Sequence, residues 1–156
     1  QLQETVNLSI RQGDEMIYVE RVAGNHLAIR VTHLIGAKAP LHVTAVGKLF
    51  LIEDGEDKSL NYIQRNGLKV FTKNTIKDSR ILFAELRKIK VQGYAFDNEE
   101  AEAGLSCIGA GIYDDSNALV AGLSISAPSH RLNRDWGRRI KAAADEISAV
   151  LGSTKS

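Results

Sequence analysis

The stretch from residue 105 to 126 constrains this chain more than any other. Two runs, 105–113 and 119–126, flank Asp114-Asp115-Ser116-Asn117. Short polar side chains of this kind hydrogen-bond their own backbone and tolerate left-handed conformations, so they mark a turn. The flanking runs then read as strands of one antiparallel hairpin. If the turn centres on Ser116-Asn117, Cys107 lies opposite Ser126, Gly109 opposite Ser124 and Gly111 opposite Gly122. Side chains alternate across a strand. One face therefore carries Ile108, Ala110, Ile112, Ala121, Leu123 and Ile125, an ordinary core surface. The other carries Cys107, Gly109, Gly111, Gly122, Ser124 and Ser126. Glycine inside a strand costs about 0.5–1 kcal/mol relative to alanine and leaves nothing to pack. Two readings stand side by side. Either a helix packs tightly on this face or a bulge interrupts it, or the face is the floor of a binding site with two hydroxyls and a thiol. The second reading expects Gly122→Val to abolish binding while the domain still folds.

The rest of the chain supplies strands, then helices, then this hairpin, then a final helix. Residues 5–11 alternate Val6, Leu8 and Ile10 with polar residues, the pattern of a half-buried strand. A turn at Gln12-Gly13-Asp14-Glu15 leads to a second strand over 16–22, and 27–32 reads as a third. Residues 35–41 read as a loop holding Gly36 and Pro40. Helices are expected over 44–52, over 58–64, and over 78–91, where Leu82, Leu86 and Ile89 share one face and Gly93 stops the run. A short strand follows at 94–97. The last helix is expected over 133–151, with Trp136, Ile140, Ala143, Ala144, Ile147 and Leu151 inward. This order predicts an α+β fold with an antiparallel sheet, since strict β–α alternation is absent.

The chain has 156 residues, enough for one domain with its own core. Its net charge of +1 is too balanced for the basic footprint of a nucleic-acid binder or for a polybasic membrane surface. The uncharged stretch from Asn117 up to Arg131 is too short and polar to cross a bilayer, and no signal-peptide pattern opens the chain. The single cysteine excludes an internal disulfide and is compatible with a reducing cytoplasm. The chain begins at Gln1, as a piece of a longer protein or a processed one would.

Three places can carry chemistry. The hairpin face is the first. Thr44-Ala45-Val46-Gly47-Lys48 is the second: it opens a helix, and small residues there let an anion approach free backbone N–H groups. It lacks the glycine spacing of a Walker loop, and a plain helix start is the simpler reading. Asp97 is the third, closing a short apolar strand ahead of Asn98-Glu99-Glu100 that can point it inward. Cys107 as a nucleophile would need a histidine, and His26, His33, His42 and His130 are not placed for it in sequence. Nor do those histidines have metal-ligand spacing, so no catalytic or metal residue is assigned.

These residues resemble a known family. Ala39-Pro40-Leu41-His42-Val43-Thr44-Ala45-Val46-Gly47-Lys48 is similar to the first signature of effector domains of the isocitrate lyase regulator (IclR) family. Gly93 through Glu100, with Gly104-Leu105-Ser106-Cys107-Ile108, resembles the second, and Ala121 through Pro128 the third. The resemblance covers essentially residues 1–156. It implies a GAF- or profilin-like antiparallel sheet flanked by helices, with an effector pocket on one sheet face. It implies that a small carboxylate meets the N–H groups of Ala45 and Val46. It places Asp97, Cys107, Ser124 and Ser126 in the pocket, with Leu105 and Val31 on its apolar wall. It also implies a cytoplasmic homodimer or tetramer without a cofactor. DNA would be reached only through an N-terminal winged helix-turn-helix, which these residues do not contain. Gly109-Ala110-Gly111 departs from the Ala-Ala-Pro type run common in the family.

The expectation is thus a non-enzymatic sensor of a keto, hydroxy or sugar acid. Another GAF- or PAS-type sensor and a Cys107-dependent hydrolase are the alternatives. A carboxylate at Asp97 only accepts hydrogen bonds. The sequence reading therefore places it at the opposite end of the ligand from Ala45 and Val46.

Overall fold

The computed structural model describes residues 3–25 and 35–155. The strand expected over 27–32, with Val31, His26 and His33, lies outside them. Among the described residues the strands are β1 (Thr5–Gln12), β2 (Glu15–Val22), β3 (Lys38–Pro40), β4 (Ala95–Asn98), β5 (Leu105–Tyr113) and β6 (Leu119–Pro128). The helices are α1 (Ala45–Asn66), preceded by a 3-10 turn at Leu41–Val43, then α2 (Ser79–Gln92) and α3 (Trp136–Val150). The strands form one antiparallel sheet in the order β3-β2-β1-β6-β5-β4. The fold is α+β, as expected.

The late hairpin has the register read from the sequence: Cys107 faces Ser126, Gly109 faces Ser124 and Gly111 faces Gly122. The register slips only at its end, where Ile112 pairs with Ala121 but Tyr113 with Leu119. The slip leaves one extra residue in β6, the geometry of a bulge. Gly13, at a φ of 62°, turns β1 into β2. The segment 35–41, expected as a loop, contributes the short edge strand β3 against β2.

Both sheet faces are covered. On one, Ile108, Ala110, Ile112 and Ile125 pack with Ile140 and Ala144 of α3. On the other, Met16, Ala95 and Cys107 pack under Ala45, Val46 and Leu49 of α1, and α2 packs on α1. Coverage of both faces explains β1. Its polar Thr5, Asn7 and Ser9 are buried on the α1 side, while Val6 and Leu8 pack on the α3 side.

The two helices expected over 44–52 and 58–64 are joined through Gly55, whose φ of 81° and ψ of 176° interrupt the helix. Glycine alone adopts that conformation readily. α2 matches its expectation, with Leu82, Leu86 and Ile89 buried, Asp78 accepting from the N–H groups of Arg80 and Ile81, and Gly93 as the left-handed cap. α3 is rotated from its expected orientation. Gly137, Ile140, Ala144 and Ser148 are buried, whereas Ile147 and Leu151 are 39% and 46% exposed. The cause is close docking. A Cβ on Gly137 would sit 2.2 Å from the Tyr94 ring. Ser148 Oγ donates to the Ala144 carbonyl at 2.7 Å and accepts from the N–H of Tyr113 at 3.0 Å.

Candidate functional site

The site is built around the start of α1. Thr44 has extended backbone and caps the helix, its Oγ1 accepting from the N–H of Gly47 at 3.1 Å. A Cβ at Gly47 would lie 2.3 Å from both the Leu41 carbonyl and Thr44 Oγ1, so only glycine lets the 3-10 turn fold back on the cap. The first N–H groups of a helix have no partner within it. Those of Ala45 and Val46 meet no acceptor among the described residues.

Val46 decides between the two readings of the hairpin face. A Cβ on Gly122 would lie 2.2 Å from Val46 Cγ1, and one on Gly109 would lie 3.0 Å from Val46 Cγ2. These glycines admit the α1 side chain; they do not leave room for a ligand. The tight-packing reading holds at Gly109 and Gly122, and with it the expectation that Gly122→Val spares the fold is withdrawn.

Beside this contact, Ser9, Met16, Tyr18, Thr44, Ala45, Val46, Asp97, Cys107 and Ser124 surround a void of about 10 Å³. Five of the seven residues singled out in the sequence line it. Leu105 and Ser126 lie on the same sheet face but outside that lining; both are buried. Ser126 Oγ accepts from the Asn7 amide at 3.0 Å and lies 3.2 Å from Cys107 Sγ. Ser9, Met16 and Tyr18 were not singled out in the sequence. They reach the site because β1 pairs with β6 across more than a hundred residues, and no local pattern reports that pairing. A roomier crevice of about 250 Å³ lies between α1, α2 and α3. There Lys141 and Lys155 are already paired with Asp145 and Glu53, at 2.6 and 2.8 Å. The small void is the better candidate because its N–H groups are free.

The acidic end is a buried network. Lys48, fully buried, donates to the Phe96 carbonyl and to Glu100 Oε2, both at 2.7 Å. Glu100 Oε2 also accepts from the N–H of Asn98 at 2.9 Å, while its Oε1 has no partner among the described residues. Asp97 is 3% exposed, and its Oδ1 accepts from the N–H of Glu100 at 2.7 Å. Burial lifts the Asp97 carboxyl to about 7, the Glu100 carboxylate adding to it and the Glu100 N–H and Lys48 opposing it. Asp97, on β4, lines the same void as Ala45 and Val46 at the start of α1.

Burial, with Asp97 alongside, also pushes the Cys107 thiol well up, away from the thiolate a nucleophile needs. Tyr18 is pushed up for the same reason. His42 is held by Tyr62 Oη at 2.9 Å on Nδ1 and by the Lys69 carbonyl at 3.0 Å on Nε2, below the loop that precedes α1. That is a structural role.

An antiparallel sheet closed on one face by a helix start sets a small void among buried hydroxyls, a thiol and a carboxyl. The chain belongs to the IclR family: the family model described as "Bacterial transcriptional regulator IclR C-terminal" matches residues 1–149. The HTH-type transcriptional repressor AllR of Salmonella typhi is 36% identical over 153 residues, covering 96% of this chain and 56% of the repressor. The chain thus spans about half the length of the curated relatives it matches. The crystal structure of Thermotoga maritima IclR superposes with a TM-score of 0.89 at 37% identity, over 97% of this chain and 63% of that one. A double mutant of the inducer binding domain of PobR from Acinetobacter, solved as a complex with 3-hydroxybenzoic acid, superposes with a TM-score of 0.83. It is 22% identical over 93% of this chain and 87% of that one, a likeness of fold alone. Among the described residues no helix is long and apolar enough to cross a membrane.

Proposed function

We propose that residues 1–156 form the effector-sensing domain of a bacterial transcription regulator, and that the effector is a small organic acid of the keto, hydroxy or sugar-acid class. The observation that carries this reading is the pair of unpartnered N–H groups on Ala45 and Val46, two residues that line a void together with Ser9, Ser124, Cys107 and Asp97. A helix N-terminus favours a carboxylate through its free donors and its dipole. Ser124 supplies a further hydroxyl, and Leu105 and Ser126 continue the same face. The complex of the PobR domain with a hydroxybenzoic acid is in keeping with an acid ligand in this fold.

The size of the void supplies a mechanism. A single water needs about 10–15 Å³ of such space, and the void holds about 10 Å³. An acid the size of pyruvate therefore requires the α1 start and the sheet to move apart. Its affinity differs between the two arrangements, which is the condition for shifting an equilibrium. In the full regulator, a cytoplasmic homodimer or tetramer, that shift reaches DNA through a winged helix-turn-helix outside these residues. The domain itself performs no catalysis, and Cys107 acts as a buried weak hydrogen-bonding group.

A thermal-shift and calorimetric screen with pyruvate, lactate and gluconate tests the reading. At least one acid is expected to raise the melting temperature, since binding to the native state stabilises it. Ser124→Ala should weaken that acid by about 0.5–1.5 kcal/mol, and Cys107→Ser should still bind. If none of the three acids stabilises the domain, or a covalent intermediate forms on Cys107, the reading fails.

A further inference from the structure

We infer that Asp97 meets the effector as a neutral, proton-donating carboxyl, so that binding of an anionic effector takes up one proton from solvent. The inference rests on the effector-site reading above and adds to it the charge state that determines specificity.

The geometry sets Asp97 beside any anion at the start of α1. Asp97 stands opposite Cys107 in the β4–β5 ladder and lines the same void as Ala45 and Val46. A carboxylate ligand on those N–H groups shares that void with the Asp97 carboxyl, which is buried from bulk water. Two negative charges at that separation repel strongly in a partly dry site. No ion pair reaches Asp97 among the described residues. The cation that acts on Asp97, Lys48 from α1, is already committed to Glu100 Oε2 and the Phe96 carbonyl. Glu100 itself adds a second negative charge, and it is buried with one oxygen unpartnered.

The other groups that face Asp97 do not reverse this. Tyr18 from β2 and Cys107 from β5 are both pushed up by burial, so both are neutral near pH 7 and neither pairs with a carboxylate as a cation would. The N–H groups of Glu100 and Ala101 favour ionised Asp97 and Lys48 does too, but burial and Glu100 outweigh them. The carboxyl is accordingly lifted to about 7, and protonating it near neutral pH takes little free energy. Once protonated, it is both a donor and an acceptor. Its O–H then makes a short, charge-assisted hydrogen bond to the ligand carboxylate. The same proton removes the repulsion. A permanently ionised carboxyl would instead select neutral or cationic ligands at this position.

The test is calorimetry of pyruvate against the domain in two buffers of different ionisation enthalpy, between about pH 6 and 8.5, where pyruvate stays ionised. The difference in observed enthalpy counts protons. Above the Asp97 pKa, uptake should approach one proton, and the affinity should fall about tenfold per pH unit, as linkage of one proton requires. In Asp97→Asn, whose amide donates at every pH, affinity should be flat with pH and proton uptake should vanish. A second measurement needs no ligand and no variant. The Asp97 side-chain carbon, labelled with carbon-13, should titrate near pH 7 in the free domain, well above the ordinary aspartate range. If wild-type binding is buffer-independent and flat with pH, yet Ser124→Ala still weakens it, proton uptake is refuted and the site stands. A carbon-13 titration in the ordinary aspartate range overturns the proposal as well. If pyruvate, lactate and gluconate fail to bind at every pH, the site reading falls and the proposal falls with it.

Discussion

At the scale of single residues, one contact and two protons matter most. Val46 fills the notch left by Gly109 and Gly122. Gly122→Val places a branched side chain where Val46 already stands, so it should destabilise the fold by about 1–3 kcal/mol or more. The variant should be visible as a lower midpoint in urea. Gly122→Val combined with Val46→Ala should recover part of the loss, because contacting residues couple. Unchanged stability in Gly122→Val would put the α1 start elsewhere. The two buried titrating groups act on stability in opposite directions. His42 is lowered by burial, against the opposing Lys69 carbonyl. The unfolded histidine takes up a proton near pH 6.5 while the folded one resists it, so stability falls as pH drops through that value. Asp97 is raised from 3.8 to about 7. The folded state holds a proton that the unfolded chain has released, so this contribution is present below pH 3.8 and is lost as pH rises towards 7. Urea melts of wild type and Asp97→Asn should therefore diverge with rising pH, the variant gaining relative stability up to about pH 7.

Among the elements, α1 has the most demanding local geometry. Gly55 interrupts the helix, and across the interruption Ser59 Oγ donates to the Leu51 carbonyl at 2.8 Å, tying the two halves together. Ser59 is fully buried, so Ser59→Ala deletes that bond inside the core. The expected cost is about 1–3 kcal/mol. Gly55→Ala should cost a similar amount, about 1–3 kcal/mol, because its φ and ψ fall in a region open almost only to glycine. Denaturant melts of the two single variants check both values. An unchanged midpoint for Ser59→Ala would mean that water, and not the hydroxyl, serves the carbonyl. The kink turns the second half of α1 so that Tyr62 reaches His42, which ties the helix back to the loop that starts it.

Across the whole molecule, the Lys48–Glu100 pair joins α1 to the end of β4. Breaking a buried pair by removing one partner costs about 3–5 kcal/mol, because the remaining charge stays desolvated, whereas replacing both by apolar residues is close to neutral. Lys48→Met is thus expected to unfold the domain at low urea, and Lys48→Met with Glu100→Leu to restore most of the midpoint. A double variant no better than the single one would show that Glu100 is held chiefly by its backbone partners. Held by Glu100, Lys48 makes no ion pair with Asp97, which lines the small void.

Some of this was written in local sequence. The β5–β6 register follows from two-residue alternation about a strong turn, and each residue there depends only on its near neighbours. α2 was legible for the same reason: a periodic Leu82, Leu86 and Ile89 face, a capping Asp78 and a stopping Gly93. The residues resembling the family signatures pointed to Ala45, Val46, Asp97, Cys107 and Ser124, and these gather around one void. Local pattern did not report that β1 would lie beside β6, bringing Ser9 inward and, through β2, Met16 and Tyr18. Nor did it report that α3 would dock through Gly137 and Ser148 and leave Ile147 and Leu151 in water. Whether the hairpin glycines served a ligand or a helix was likewise undecided until Val46 was placed against them. Periodicity records which side of an element is apolar. Which element covers that side, how closely, and what charge survives there depend on volumes and distances between residues far apart in the chain, and only the packed structure fixes those.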